Sequence, residues 1–369
     1  MKFSIPKDQL LYGVQSVIKG VSSKNVLPVL QGIHVKVENN LITFTATDLK
    51  YTVQCELPAD VEAPGEIVIP GKLLNELVKK LPDVVIQVST TSDMIIFNYF
   101  FSEVSLKTMI ADDFPKATVP MGETFKIPAL NLKQIIRKTG IAAMDEKASD
   151  SRPVFAGVLF EVEEGKLHVV ATDTHRLAYK FTDLNESISA KAIIPGYALN
   201  EVLRLLRDND EIVEIHMAES FTGFKFGNCK MLVRLVEGVF PPYKKVIPQG
   251  YATKVKVSTK SFADSLERAS LLAKDGSNIV KFKVNSDKNT IILSATGERG
   301  KVSERVSLLS VEGPDIEINF NAKFMADAIR VSDAEEVTIE FGNSAAAPGV
   351  VHPVGDESYL YLALPVRVA

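Results

Sequence analysis

The sequence predicts an α+β protein in which one unit is repeated three times, each copy packing two helices on one side of antiparallel sheet. Three observations predict it: landmarks at a fixed spacing, hydrophobic periods that switch between helix and strand, and an ordinary globular composition. Leu27-Pro28-Val29-Leu30 with Gly32 recurs 125 residues on as Arg152-Pro153-Val154-Phe155 with Gly157. Ala46-Thr47-Asp48 recurs as Ala171-Thr172-Asp173, and Ile69-Pro70-Gly71 as Ile194-Pro195-Gly196, each again at 125. Phe114-Pro115 recurs as Phe240-Pro241 at 126. A third copy is fainter. Ala295-Thr296 follows Ala171 by 124 residues, and Ile318-Asn319-Phe320-Asn321 heads an apolar helical run about one repeat after Ile193. Boundaries just after each Phe-Pro give domains 1–121, 122–250 and 251–369.

Within the first copy, Lys7–Lys19 carries Leu10, Leu11, Val14, Val17 and Ile18 at helical spacing. Ile33, Val35 and Val37 then alternate with His34 and Lys36, the period of a half-buried strand. Asn39-Asn40 reads as a hairpin turn into Ile42-Thr43-Phe44. A second helix spans Lys72–Lys80 with Leu73, Leu74, Leu77 and Val78, and Val84–Val88 and Met94–Phe101 return to strand. The same pattern predicts helices at 130–140 and 196–207 in the second copy, and at 259–269 and 323–330 in the third. Each copy then holds two helices and about eight strands.

The chain is 46% hydrophobic and 24% charged, with 21 Gly and 18 Pro in 369 residues, which excludes disordered, collagen-like and coiled-coil classes. Its net charge of −4 excludes a chain-wide basic signature for nucleic acid. Cys55 and Cys229 cannot build a disulfide scaffold and are expected as buried thiols in a reducing, cytoplasmic compartment. No apolar leader follows the basic start, and no stretch is long enough to cross a membrane. HExxH, Cys-x-x-Cys and P-loop patterns are absent, and Gly297-Glu298-Arg299-Gly300-Lys301 is too short to be a phosphate loop. Asp173 with His175-Arg176 looks like a base and its orienter, but no nucleophile or ligand cluster accompanies it. No catalysis, cofactor or metal is therefore expected.

Charge separates by element. The six predicted helices hold 14 basic and six acidic residues, so they carry +8 and the remainder −12. If the helices share one surface, that surface attracts a phosphate backbone without reading sequence. The competing reading is that Lys and Arg are simply good formers of solvated helix faces.

Taken together in this order, the local motifs resemble the bacterial DNA sliding clamps, the beta subunits of DNA polymerase III. The resemblance runs from Met1-Lys2-Phe3 through Leu27-Pro28-Val29-Leu30, Thr47-Asp48-Leu49, Glu76-Leu77-Val78-Lys79-Lys80-Leu81-Pro82 and Asp113-Phe114-Pro115. It continues through Gly157-Val158-Leu159-Phe160-Glu161 and Ala171-Thr172-Asp173-Thr174-His175-Arg176-Leu177-Ala178 to Tyr361-Leu362-Ala363-Leu364-Pro365-Val366-Arg367. The resemblance implies three clamp domains per chain and two chains closed head to tail as a homodimeric ring, helices inside and sheets outside. Such a ring encircles double-stranded DNA without sequence specificity. It serves as a processivity factor for the DNA polymerase III catalytic subunit, and it is opened by a clamp loader. The alternative is a non-ring scaffold of repeated β-rich modules.

Residue by residue, the resemblance implies a groove for the clamp-binding motifs of partner proteins. Its members are Phe155, Thr172, Thr174, His175, Arg176, Leu177, Pro241, Lys245, Val246, Leu362, Ala363, Leu364, Pro365, Val366 and Arg367. DNA-facing cations are expected at Lys24, Lys79, Lys80, Lys133, Arg137, Lys138, Arg204 and Arg207, and dimer contacts at Val104, Leu106, Leu271 and Leu272. Thr174 stands where glycine is common in the family and Phe155 where leucine is. Ala363 is small, and Ala369 extends the tail, so the preferred peptide can differ from that of other clamps.

Overall fold

The computed structural model describes residues 1–22, 27–115, 122–149, 151–207, 209, 211–274, 278–344 and 346–367. Six α-helices occur among them: α1 (Lys7–Val17), α2 (Gly71–Lys80), α3 (Ala129–Gly140), α4 (Gly196–Leu205), α5 (Thr259–Ala273) and α6 (Ala322–Arg330). All six were legible from their apolar spacing, and only the ends differ. Helix α5 runs four residues past the predicted end because its buried stripe of Phe262, Leu266, Ala269 and Ser270 continues to Ala273. Helix α4 stops at Leu205, which leaves Arg207 outside it. The predicted eight strands per copy become nine, eight and nine among the described residues.

The chain forms two compact units, Met1–Leu130 with Tyr197–Leu235, and Asn131–Gly196 with Val236–Ala369. In the first, an eight-stranded antiparallel sheet runs in the order Glu123–Pro128, Ile212–Met217, Phe221–Phe226, Cys229–Arg234, Tyr51–Pro58, Leu41–Thr47, Gly32–Glu38, Gly65–Pro70. Two repeats meet in the middle of this sheet, where Cys229–Arg234 pairs with Tyr51–Pro58. A five-stranded sheet in the same unit ends on the free edge strand Ser102–Lys107. Helices α1 and α2 pack on each other, and α1 covers strand Tyr51–Pro58. Val53, Cys55 and Leu57 are buried on one face of that strand, and Thr52 and Gln54 alternate onto the other.

The second unit repeats the plan. A nine-stranded sheet joins Arg176–Asp183 to Tyr359–Ala363, and a four-stranded sheet ends on the free edge strand Gly300–Ser307. Phe240 is buried among Leu159, Val170, Leu177 and Ile193, and in the first unit Phe114 is buried among Val29, Leu30 and Val68. The two Phe-Pro landmarks thus anchor the ends of their repeats at corresponding places.

The repeat is visible atom by atom at one turn. The Asp48 carboxylate accepts from the amides of Lys50 and Tyr51, each at 3.0 Å, and Asp173 accepts from His175 and Arg176 at 3.0 and 3.1 Å. The Thr47 hydroxyl donates to the Tyr51 carbonyl at 2.9 Å, and Thr172 does the same to Arg176 at 2.7 Å. Side chains thus close both turns. The residue between them has φ of +72° at Leu49 and +79° at Thr174. Cys55 and Cys229 are directly opposed across the central ladder, both free and both buried. The repeat alignment gave no hint of this, because the two thiols come from different copies.

Candidate functional site

Strand Lys166–Thr172, the Asp-centred turn and strand Arg176–Asp183 present Thr172, Thr174, His175, Arg176 and Leu177 in close succession. The final strand, Tyr359–Ala363, pairs alongside and sets Leu362 opposite Leu177. Beyond it the Leu364 amide donates to the His175 carbonyl at 2.8 Å, which holds the tail against the turn, and the Val366 amide donates to the Asn319 carbonyl at 2.8 Å. A cavity of about 260 Å³ opens here. Phe155, Thr172, Thr174, His175, Arg176, Leu177, Pro241, Lys245, Val246, Leu362 and Leu364 line it, together with Pro242 and Tyr243.

Four expected members do not line it. Ala363 is buried opposite Arg176, on the alternate face from Leu362 and Leu364. Pro365, Val366 and Arg367 are not among the residues that line it. Pro242 and Tyr243 were missed, although their signal was the run beginning at Phe240. Tyr243 is buried, donates to Glu161 Oε2 at 2.9 Å and stacks on Tyr179 at 5.8 Å. Burial, then the Glu161 hydrogen bond, pushes its hydroxyl pKa up, so it stays a donor.

The floor is rigid and the rim apolar. The Arg176 guanidinium, 7% exposed, donates to Asp173 Oδ2 and Asp327 Oδ2, each at 2.9 Å, and lies 4.4 Å over the Phe324 ring. Burial works against its charge, but Tyr361, Asp327 and Asp173 outweigh burial and raise its pKa. The His175 ring stacks on Phe324 at 6.5 Å. Val246 and Leu364 are 54% and 40% exposed, an unusual outlay of apolar surface beside a preformed hollow. Such a site suits a short apolar anchor with polar contacts at its edge.

The expected cations fare unevenly. Lys24 lies outside the described residues. Lys79 and Lys80 are exposed in the last turn of α2, where the helix dipole favours positive charge. Arg137, Arg204 and Arg207 are also exposed, Arg204 pairing with Glu201 and Arg207 lying 4.8 Å over the Tyr12 ring. Lys133 is half-buried. Lys138 is a correction: it is 6% exposed and its ammonium is bound to Asp356 at 3.0 Å and Asp333 at 3.5 Å, so it cannot face DNA. Of the expected dimer residues, Val104 is half-buried and Leu106 buried on the free edge strand, while on α5 Leu271 is 62% exposed and Leu272 half-buried. Among the described residues no three His, Cys, Asp or Glu side chains gather as metal ligands would, and no helix is long and apolar enough to cross a membrane.

Comparisons with known proteins cover the whole chain. Family models for the DNA polymerase III beta subunit match in sequence: the N-terminal domain over residues 1–119, the central domain over 126–242 and the C-terminal domain over 244–367. The beta sliding clamp of Bacillus subtilis (strain 168) is 34% identical over 380 residues, spanning 100% of both chains. The crystal structure of the DNA polymerase sliding clamp from Bacillus subtilis superposes with a TM-score of 0.94 at 33% identity, again over 100% of both chains. That of the DNA polymerase III subunit beta from Pseudomonas aeruginosa gives 0.94 at 27% identity, with the same coverage.

Proposed function

The chain belongs to the DNA polymerase III beta subunit family, and from that premise we propose that two copies close head to tail into a ring around double-stranded DNA. The ring tethers the polymerase catalytic subunit as a cytoplasmic processivity factor and performs no catalysis itself. Its domains are read as 1–121, 122–250 and 251–369.

The observation that carries the ring is that two of the sheet edges correspond, repeat for repeat, to the strands of the internal seams. Inside the chain, strand Tyr51–Pro58 pairs with Cys229–Arg234, and its repeat Arg176–Asp183 pairs with Tyr359–Ala363. The third-repeat counterpart of the first partner is Gly300–Ser307, and the first-repeat counterpart of the second is Ser102–Lys107. Both are unpaired edges. An unpaired edge is a template for another chain. Repeating the internal seam between two copies sets Val104 opposite Val302 and Leu106 opposite Gly300. Leu272 Cδ1 lies 4.0 Å from where a Gly300 Cβ would stand, so Leu106 would close onto it. The interface is heterologous, and two such contacts complete a ring.

The mechanism is topological. Exposed cations on the helices, Lys79, Lys80, Arg137 and Arg204, with Lys24 and Arg207 nearby in sequence, favour phosphates without binding any one base. The ring therefore slides instead of gripping. The cavity around Leu177, Leu362 and Leu364 takes the apolar anchor of a linear motif from the polymerase, the clamp loader or other clamp-binding proteins. No phosphate loop occurs in the sequence, so the energy for opening comes from the loader.

The test loads the protein onto nicked circular plasmid with a matching loader and ATP, then gel-filters in high salt before and after one restriction cut. Electrostatic binding alone is lost from both forms. The expected result is retention on the circle and release from the linear product. Equal behaviour on both, with a control clamp behaving normally, overturns the ring.

A further inference from the structure

The helix-free face of the eight-stranded sheet carries a second concavity, on the seam between the first repeat and the second. Two neighbouring rows of side chains cross that face. One row runs His216, Gly223, Leu232, Thr52, and the next runs Glu214, Lys225, Lys230, Gln54, each residue directly opposite the one before it. Gly223 leaves the first row without a side chain between His216 and Leu232, and a hollow of about 240 Å³ results. That is room for one large apolar side chain. Thr52 and Leu232, which wall it, occupy the seam positions that Leu177 and Leu362 hold in the groove of the next seam.

The rim is basic. Lys225 and Lys230 face each other across their ladder, and among the described residues neither has an ion pair. Like charges directly opposed on a sheet repel. Glu214, directly opposite Lys225 in the row, is the one carboxylate there, and its Oε1 hydrogen-bonds His216 Nε2 at 2.7 Å. Thr124 Oγ1 fixes the other ring nitrogen at 2.8 Å, so the imidazole wall cannot swing in to fill the gap. An apolar hollow beside two exposed ammonium groups, which outnumber the one carboxylate in their row, is complementary to a ligand that is apolar at one point and anionic beside it.

We propose that this seam is a second docking site, for a linear acidic peptide that sets one aromatic or branched side chain over Gly223 and carboxylates against Lys225 and Lys230. A nucleic acid backbone fits less well, because it offers phosphates but no apolar anchor for the hollow. The inference needs only the geometry of the seam. Failure of the DNA-retention experiment would leave it standing, and its own failure would not touch the ring.

The experiment titrates full-length protein into a fluorescein-labelled hexapeptide with two central phenylalanines flanked by four aspartates, read by anisotropy. A Cβ at Gly223 meets nothing nearer than His216 Cβ at 3.6 Å, so Gly223→Val fills the hollow without a clash in a strand that accepts valine. Saturable binding is expected, weakened about tenfold or more by Gly223→Val and by the double variant Lys225→Glu/Lys230→Glu. Leu364→Asp, in the groove of the other seam, should leave it unchanged. Thermal melts check that each variant is folded. Absence of saturable binding, equal binding by Gly223→Val, or loss through Leu364→Asp in place of Gly223→Val overturns the proposal.

Discussion

Thr174 holds a backbone conformation that a β-branched residue resists, with φ of +79° in a turn otherwise closed by Asp173 and Thr172. The strain is local and removable. Relief of this strain outweighs the added freedom of the unfolded chain, so Thr174→Gly should raise stability by about 1 kcal/mol, measurable as a higher melting midpoint; an unchanged or lower midpoint would overturn that balance. Asp356 makes the second residue-scale case. Burial tends to raise its pKa, but hydrogen bonds from Ser358 and Lys138 and the charge of Lys180 overcome that and bring it from 3.8 to about 2. A carboxylate with a depressed folded pKa contributes stability that is complete above about 4 and is lost as pH falls toward about 2. Screening by solvent at this part-exposed group reduces the contribution to about 1 kcal/mol. Asp356→Asn should flatten the acid limb of the stability curve in that window, as denaturant titrations at pH 2 to 5 would read, and destabilise the protein at neutral pH by taking the carboxylate from Lys180 and leaving Lys138 with Asp333 alone.

At the scale of elements, periodicity located all six helices, because each buries one apolar stripe against sheet and nothing in the repeats competes with that signal. It could not see what covers a helix flank. Lys138 sits beside Thr139, in the buried stripe of Leu132, Ile135 and Ile136, and the turn carrying Asp356 closes over it from 218 residues away. Counting every helix cation as solvent-facing therefore overstated the basic surface by one. The groove was legible only through the resemblance, which named the tail and the turn but not Tyr243, whose role depends on a hydrogen bond to a distant strand. The tail beyond the last strand is tied on by two backbone hydrogen bonds, Leu364 to His175 and Val366 to Asn319. Strand Tyr359–Ala363 completes the sheet, and the cavity gains only Leu364 from beyond it. Deleting the chain from Leu364 onward should weaken polymerase binding at least about tenfold while preserving secondary structure and oligomeric state. Surface plasmon resonance and circular dichroism on the same preparation distinguish that result from global damage.

For the whole molecule, the decisive features are the two edges that match the internal seams, Ser102–Lys107 and Gly300–Ser307. Leu106→Asp places a charge where the proposed seam needs an apolar side chain against Gly300 and Leu272. It should shift sedimentation velocity from dimer to monomer at micromolar concentration and abolish retention on circular DNA. The edge Ser102–Lys107 alternates Glu103, Ser105 and Lys107 outward, and Gly300–Ser307 alternates Lys301, Ser303 and Arg305, so each displays charge beside its open hydrogen-bonding groups. A heterologous contact has no built-in stopping rule: if the rotation from copy to copy does not return to its start, the same pairing that closes a pair runs on as a filament. The angle summed along the chain is therefore as much under constraint as the contacts at its ends. In the proposed assembly, a small change in it, far from either edge, would turn a closed washer into an open-ended polymer, and any partner that prised one joint apart would have to shield two adhesive borders until the gap shut.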